Sequence, residues 1–291
     1  MRVDGSRLTA DGPLLGELQD ELAEALGGDR GGARDLIAAL LDKPRFWPSA
    51  HREEQVEAHL SAQARSAAAS IRAGMPFAYA VGRASFRHLS LRVDRRVLIP
   101  RPETELIVDI VLEATGGKGL VADIGTGSGA IALALAAEGS FDRVFATDVS
   151  ADALSVARHN LEEIPADRRP LVEFREGDLC APMTGLRLDA LVSNPPYIAN
   201  PERAALPPSV RDWEPSVALF SGDDGMDAIR RLVTDAANVL APGGTLVVEI
   251  DSRRAELARE AATAHSHWDG AMIRRDLTGR ERFLVARRTS R

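Results

Sequence analysis

The 291-residue chain has a single cysteine, Cys180. That excludes a disulfide within one chain and a cysteine-built zinc cluster, and it suits a reducing compartment. Aromatic residues make up only 4% of the chain, so leucine, valine, isoleucine and alanine must build the core. Hydrophobic content of 45% is enough for one large domain or two smaller ones. Positive charge is not in excess. The formal net charge is −7, which argues against a protein held mainly on phosphate backbones and leaves a basic partner favourably steered. No apolar run is long enough to span a bilayer, and Met1-Arg2-Val3-Asp4-Gly5 has no apolar signal region. The expected location is therefore the cytoplasm. The histidines at 51, 59, 88, 159, 265 and 267 show no metal spacing with carboxylates, and no metal is expected. There is no internal repeat.

Two stretches carry chemistry. Val121-Ala122-Asp123-Ile124-Gly125-Thr126-Gly127-Ser128-Gly129-Ala130 runs from an apolar strand into a helix. Alternate glycines let a backbone turn tightly and approach a ligand closely. Asp148 ends the next strand, about 20 residues on, where a carboxylate meets ribose hydroxyls in nucleotide folds. Ser150 is available to cap the following helix, which would leave that carboxylate free. The Gly-x-Gly-x-Gly spacing differs from the dinucleotide pattern. A cofactor with ribose and adenine but no pyrophosphate fits, and S-adenosylmethionine is one.

The second stretch, Asn194-Pro195-Pro196-Tyr197, closes the apolar strand Leu188–Ser193. Strand ends are where open α/β sheets place ligands. The prolines offer carbonyl acceptors and no donors, Asn194 adds a side-chain oxygen, and Tyr197 adds an aromatic face. A planar NH₂ on an sp² carbon suits this set. Amides and the exocyclic amines of nucleobases both qualify.

Around these motifs, residues 14–72 read as helical. The expected helices cover Leu14 to Leu26, 33–41 and 49–73. Apolar alternation from Phe86 to Ile99 predicts two short strands around Asp94-Arg95. From 103 onward helix and strand alternate, which predicts a doubly wound, mostly parallel α/β sheet. Strands 271–276 and 282–287, joined through Gly279, read as a closing hairpin that would make the last strand antiparallel. The expected domains are a helical one over 1–82, a linking β-hairpin over 83–100 and the sheet domain over 101–291.

The glycine loop and the Asn-Pro-Pro-Tyr strand end occur in order with four further segments. These are Ile99-Pro100-Arg101-Pro102-Glu103-Thr104-Glu105, Asp212-Trp213-Glu214-Pro215, Ser221-Gly222-Asp223-Asp224-Gly225-Met226 and Arg275-Asp276-Leu277-Thr278-Gly279-Arg280-Glu281-Arg282. Together, over roughly residues 75–288, the chain resembles the bacterial release factor glutamine methyltransferases of the HemK type, class I S-adenosylmethionine enzymes. The resemblance implies a seven-stranded methyltransferase sheet and a helical recognition domain. It implies methyl transfer to the side-chain amide nitrogen of the glutamine in the Gly-Gly-Gln loop of peptide chain release factors.

The resemblance also implies residue roles. The cofactor would be bound by Gly125, Thr126, Gly127, Ser128, Gly129, Asp148, Asp178, Leu179 and Asn194. Asp178 would lie near the adenine amine and Leu179 against its ring. Leu179 replaces the aromatic residue many members carry, so it can pack but not stack; a plain turn role for Asp178 stays open. Asn194 and the Pro195 carbonyl would accept the amide hydrogens of the target, Pro196 would stiffen the turn, and Tyr197 would wall the pocket. Asn194, Pro195 and Tyr197 are the expected catalytic residues. Pro100–Glu105 reads either as a loop closing over the cofactor or as a stiff helix start. Trp213 frames the substrate entrance or is structural, and Cys180 is a small buried filler.

The enzymatic rival is an exocyclic-amine (adenine-N6 or guanine-N2) nucleic-acid methyltransferase. The acidic balance and the lack of a basic, aromatic-rich target domain count against it, so no direct nucleic-acid contact is expected. A non-catalytic S-adenosylmethionine sensor would need no amide-fixing acceptors. Nothing in the sequence demands more than a monomer.

Overall fold

Residues 12–290 are described by a computed structural model; the opening Met1–Gly5 segment lies outside them. The chain divides into two units. One holds the described residues up to Gly82 together with Pro208–Trp213, and the other holds Arg83–Pro207 together with Glu214 onward.

The helical unit contains α1 (Leu15–Ala25), α2 (Arg30–Leu41), α3 (Trp47–Ala50), α4 (Ala58–Arg72) and α5 (Phe77–Val81). Leu15, Leu18 and Leu22 recur at helical spacing and are buried against Leu36, Ile37 and Leu40 of α2 and Leu60 and Ala64 of α4. The single helix expected over 49–73 is two helices. Backbone bonds from outside interrupt it: Leu15 N–H donates to Glu54 O at 2.7 Å and Val56 N–H to Pro13 O at 3.0 Å. Gln55 bridges Leu14 as a strand would, and this long-range pairing overrides local helix propensity.

The second unit opens with a hairpin of β1 (Arg83–Phe86) and β2 (Leu89–Arg92). Its turn is Arg87-His88, with Phe86 paired to Leu89, and not Asp94-Arg95 as expected. Arg87 takes the turn at φ 52°. Its guanidinium binds Asp109 at 2.9 Å and Glu138 at 2.6 Å, charge-assisted bonds that help hold the strained turn. Asp94 instead organises the next turn, accepting from Arg96 N–H at 3.1 Å.

Helix and strand then alternate: α6 (Glu105–Thr115), β3 (Leu120–Ile124), α7 (Ala130–Glu138), β4 (Arg143–Asp148), α8 (Ala151–Asn160), β5 (Val172–Glu176) and β6 (Leu188–Ser193). The one-turn α9 (Pro208–Arg211), part of the helical unit, precedes α10 (Asp227–Val239), β7 (Leu240–Glu249), α11 (Ala255–Thr263), β8 (Trp268–Arg275) and β9 (Glu281–Arg288). The sheet order is β5-β4-β3-β6-β7-β9-β8. Strands β3 to β7 run parallel, and β9 is antiparallel to both its neighbours. The seven-stranded sheet with an antiparallel last strand is thus as expected.

Both faces of the sheet are buried, as a parallel sheet requires. Alternation along each strand sends Val121, Val192 and Val247 to one apolar cluster and Ala122, Leu191 and Leu246 to the other. From β3 the chain winds outward to β5, then returns to lay β6 on the other side of β3. The carboxyl ends of β3 and β6 therefore flank the point where strand order reverses, where open α/β sheets bind ligands. No helix among the described residues is long and apolar enough to cross a membrane.

Candidate active site

Pairing of Ile124 with Ser193 puts the ends of β3 and β6 side by side, and Ser193 Oγ donates to Ile124 O at 2.7 Å. The glycine loop and the Asn-Pro-Pro-Tyr turn therefore leave the sheet together. Gly125 (φ 72°) and Gly127 (φ 55°) take the left-handed conformation that L side chains rarely adopt. A Cβ on either would project into open space, the space a ligand uses.

Asp123 lies beneath this loop and is fully buried. Its Oδ2 accepts from the Thr126 hydroxyl at 2.6 Å and from Ala132 N–H at 3.1 Å, so one carboxylate oxygen fixes both ends of the loop. Its Oδ1 has no hydrogen-bond partner. Burial pushes its pKa up to about 7, against the opposing pull of those two bonds. Thr126 and Ser128 are buried.

Asp148 ends β4. Its Oδ2 accepts from Gly127 N–H at 2.9 Å and its Oδ1 from Ser150 N–H at 2.9 Å. Ser150 caps α8 by accepting from Ala153 N–H at 3.2 Å, as expected. The carboxylate nevertheless has a structural task of its own, because it ties the glycine loop to the β4 turn. Each oxygen keeps a further lone pair for a ligand. Burial raises the Asp148 pKa, and its backbone hydrogen bonds oppose that.

A cavity of about 370 Å³ opens over these residues, within the range of roughly 300–1,000 Å³ usual for small-molecule sites. Gly125, Gly127, Asp148, Leu179, Asn194 and Pro196 line it, with Val149, Val217 and Phe220 as apolar wall. Asp178 lies at its rim in an ion pair with Arg231 at 2.6 Å. Leu179 holds φ 45°, a strained value for a residue with a side chain, and packs partly on the core beneath. Carboxylates at two points, apolar walls between them and glycines where a Cβ would intrude fit a ribose-and-adenine cofactor.

A smaller cavity of about 50 Å³ adjoins it, lined by Phe86, Arg101, Thr104, Thr126, Ser128 and Asn194. Asn194 borders both. Its Nδ2 donates to Thr104 Oγ1 at 3.2 Å, committing the nitrogen end to the protein and leaving the oxygen end for a ligand. Pro195 is buried, and neither it nor Tyr197 lines either cavity. Tyr197 packs on the cluster beneath β6 and β7. Burial pushes its phenol pKa up, and the nearby Glu249 charge adds to the effect.

One buried residue gave no sequence signal. Glu249, at the end of β7, is buried with its Oε2 unpartnered. Burial pushes its pKa up to about 7, while the Thr104 hydroxyl, Arg282 and the Tyr197 hydroxyl favour the charged form. Arg101 donates to Glu214 at 2.6 Å, and Ile99 N–H donates to the other Glu214 oxygen at 3.4 Å. Two segments more than a hundred residues apart are thereby joined by a carboxylate whose side chain is 1% exposed. Asp212 and Trp213 belong to the helical unit. The Arg275–Arg282 segment is a turn lock. Asp276 accepts from the Thr278 hydroxyl at 2.6 Å and from Arg280 N–H at 3.1 Å, and it pairs with Arg282 at 3.3 Å. Cys180 is buried and its thiol is pushed up to about 12, which makes it inert.

Known proteins resemble the chain at two levels. The profile of the Methyltransferase small domain matches residues 102–206. A release factor glutamine methyltransferase of Moorella thermoacetica is 38% identical over 277 residues, covering 94% of this chain and 85% of its own. Those of Gloeobacter violaceus (37% over 279 residues, 94% and 96%) and Streptomyces coelicolor (39% over 275 residues, 92% and 89%) are similar to the same extent. Among solved structures, the hMettl16 catalytic domain in complex with MAT2A 3'UTR hairpin 1 has a TM-score of 0.58 at 16% identity, covering 88% of this chain and 91% of that one. A methyltransferase from Pyrococcus furiosus has 0.51 at 18%, covering 76% and 98%. At such identities these two share the fold.

Proposed function

The chain belongs to the release factor glutamine methyltransferases, and from that membership we propose its reaction. It transfers a methyl group from S-adenosylmethionine to the side-chain amide nitrogen, N5, of the glutamine in the Gly-Gly-Gln loop of peptide chain release factors. Bound S-adenosylmethionine supplies an electrophilic methyl carbon on a sulfonium. Gly125 and Gly127 let the backbone come close to it, with Thr126, Ser128 and Gly129 shaping the loop. Asp148 takes ribose hydroxyls on its remaining lone pairs, and Asp178 and Leu179 take the adenine.

The observation that carries this reading is the Asn194 amide. It sits beside the glycine loop, borders both cavities and turns its nitrogen to Thr104. Its oxygen is then an acceptor for one hydrogen of the target amide, and the Pro195 carbonyl is an acceptor for the other. An amide nitrogen is a poor nucleophile because its lone pair is delocalised into the carbonyl. Two acceptors on its hydrogens return density to nitrogen and stabilise the positive charge that develops there. Pro196 holds the turn rigid. Tyr197 supports it from beneath.

The helical unit serves as the docking surface for the protein substrate, and the enzyme works as a cytoplasmic monomer without nucleic acid. The net charge of −7 supports a protein partner over a phosphate backbone. The test is peptide mass spectrometry of an unmodified release factor after incubation with enzyme and S-adenosylmethionine. One added methyl on the Gly-Gly-Gln glutamine is expected. No gain while the cofactor binds refutes the reading, and methylation of RNA or DNA in its place would establish the exocyclic-amine alternative.

A further inference from the structure

We propose that Asn160 is a positioning residue for the cofactor. Its side-chain amide clamps the β1–β2 hairpin to the glycine loop and so fixes the spacing of the two segments that line the smaller cavity. The proposal rests on the S-adenosylmethionine reading above.

Asn160 is the last residue of α8 and is 1% exposed. Its Oδ1 accepts from Arg92 N–H at 2.8 Å. Its Nδ2 donates to Arg92 O at 3.0 Å and to Ser128 O at 2.9 Å. Toward Arg92, where β2 ends, the side chain exchanges both bonds as the backbone of a neighbouring strand would. The remaining hydrogen reaches the glycine loop. Only one orientation of the amide serves. A backbone N–H can only donate and the two carbonyls can only accept, so turning the amide over would lose all three bonds.

Ser128 lies between Gly127 and Gly129, which hold φ 55° and 85°. Glycines lend the loop little stiffness of its own, so outside anchors must set its path. Asp148 holds Gly127 N–H, Asp123 holds the Thr126 hydroxyl, and Asn160 holds Ser128 O. Of these three, Asn160 is the anchor that also binds the hairpin. Helix α8 packs on the loop as well, since a Cβ on Gly129 would lie 3.3 Å from that of Ala157. The smaller cavity is lined by Ser128 and its loop neighbours and, from the hairpin and the chain that leaves it, by Phe86 and Leu98. Leu98, Gly125 and Gly127 line the larger cavity too. Releasing the loop from the hairpin therefore alters the space for the cofactor. Asn194 and Pro195, carried on the end of β6, keep their places. The clamp thus acts on cofactor affinity and not on the acceptors offered to the target amide.

The experiment compares wild type with Asn160→Asp. The S-adenosylmethionine Kd is measured by calorimetry, and kcat is measured at saturating cofactor with a full-length release factor. The carboxylate keeps the shape and the bond from Arg92 N–H but has no hydrogen for the Arg92 and Ser128 carbonyls. Kd should rise about tenfold or more while kcat stays within about threefold of wild type. An unchanged Kd, or a kcat that falls as far as the affinity does, overturns the proposal. Should Asn160→Asp fail to fold, hydrogen exchange in the wild type decides. Coupling between the loop and the hairpin is reciprocal. Saturating S-adenosylmethionine should therefore slow the Arg92 amide about fivefold more than the amides of β8 and β9 at the far edge of the sheet. Equal slowing overturns the proposal. Wild-type enzyme that binds the cofactor and methylates no release factor removes the parent reaction and leaves the clamp standing, whereas a normal Kd in Asn160→Asp removes only the clamp.

Discussion

Asp123 offers a test in which the sign of an effect depends on pH. It is fully buried, its Oδ1 is unpartnered, and its pKa is raised from 3.8 to about 7. Because the folded-state value is raised for an acid, the folded protein binds the proton more tightly than the unfolded chain. The stabilising difference is therefore present at low pH and is lost as pH rises toward 7, at roughly 1.4 kcal/mol per pH unit between the two values. Above the folded-state value the loss is complete, on the order of 4 kcal/mol relative to a group with no shift. Asp123→Asn removes this titration while keeping an oxygen for Thr126 and Ala132. The new amide hydrogens, where Oδ1 was, cost about 1–3 kcal/mol at any pH. At pH 5.5 the two terms nearly cancel. By pH 8.5 the variant should gain about 2 kcal/mol on wild type. Glu249 titrates alike in both proteins and drops out of the difference. The assay is urea unfolding of cofactor-free protein at the two pH values, read by pulsed hydrogen exchange on the β3–α7 segment so that the helical unit does not contribute. Parallel stability curves for the two proteins would falsify the assignment of a buried, proton-binding Asp123.

Asn194→Ala should lower kcat by about two to three powers of ten, as loss of one fixed group at the reacting atom does, while S-adenosylmethionine binding measured by calorimetry changes little; near-normal kcat would end its role as acceptor. Asp148→Ala should weaken S-adenosylmethionine about tenfold or more, since it removes both a ribose partner and the acceptor of Gly127 N–H. An unchanged Kd would show that the carboxylate serves the loop alone.

Much of this was legible because its signals are local. The period switch at residue 103, the glycine loop and the proline turn lie within short windows, and β4 and β6 run from Arg143 to Asp148 and from Leu188 to Ser193 as read. Illegible features depend on partners distant in sequence. Helix propensity over 49–73 gave no hint of backbone bonds from Pro13 and Leu15. Apolar alternation through Phe86, Leu89 and Leu91 could not show that the chain reverses at Arg87. Nothing local in Glu214 marks it as the partner of Arg101. Asp148 was found by its spacing from the loop, but its grip on Gly127 N–H appears only once β3 and β4 are aligned. Tyr197 reads as a pocket wall, but the strand period stops at Ser193 and the turn alone decides where the ring points, which is onto the core cluster.

The antiparallel β9 has a consequence for synthesis. It is made after both β7 and β8, yet it is inserted between them. A nascent chain completed only to Arg275 carries every ligand-facing residue discussed above, but its β7 edge is bare and β8 has nothing to pair with. Glu249 pairs with Phe283 in the ladder that closes this gap, and Arg282 arrives with the same strand. Until then Glu249 sits at an open sheet edge. Exposed edges of that kind are where unfinished chains associate. The glycine loop and the proline turn can thus take shape while synthesis continues, whereas the sealed interior behind them waits for β9.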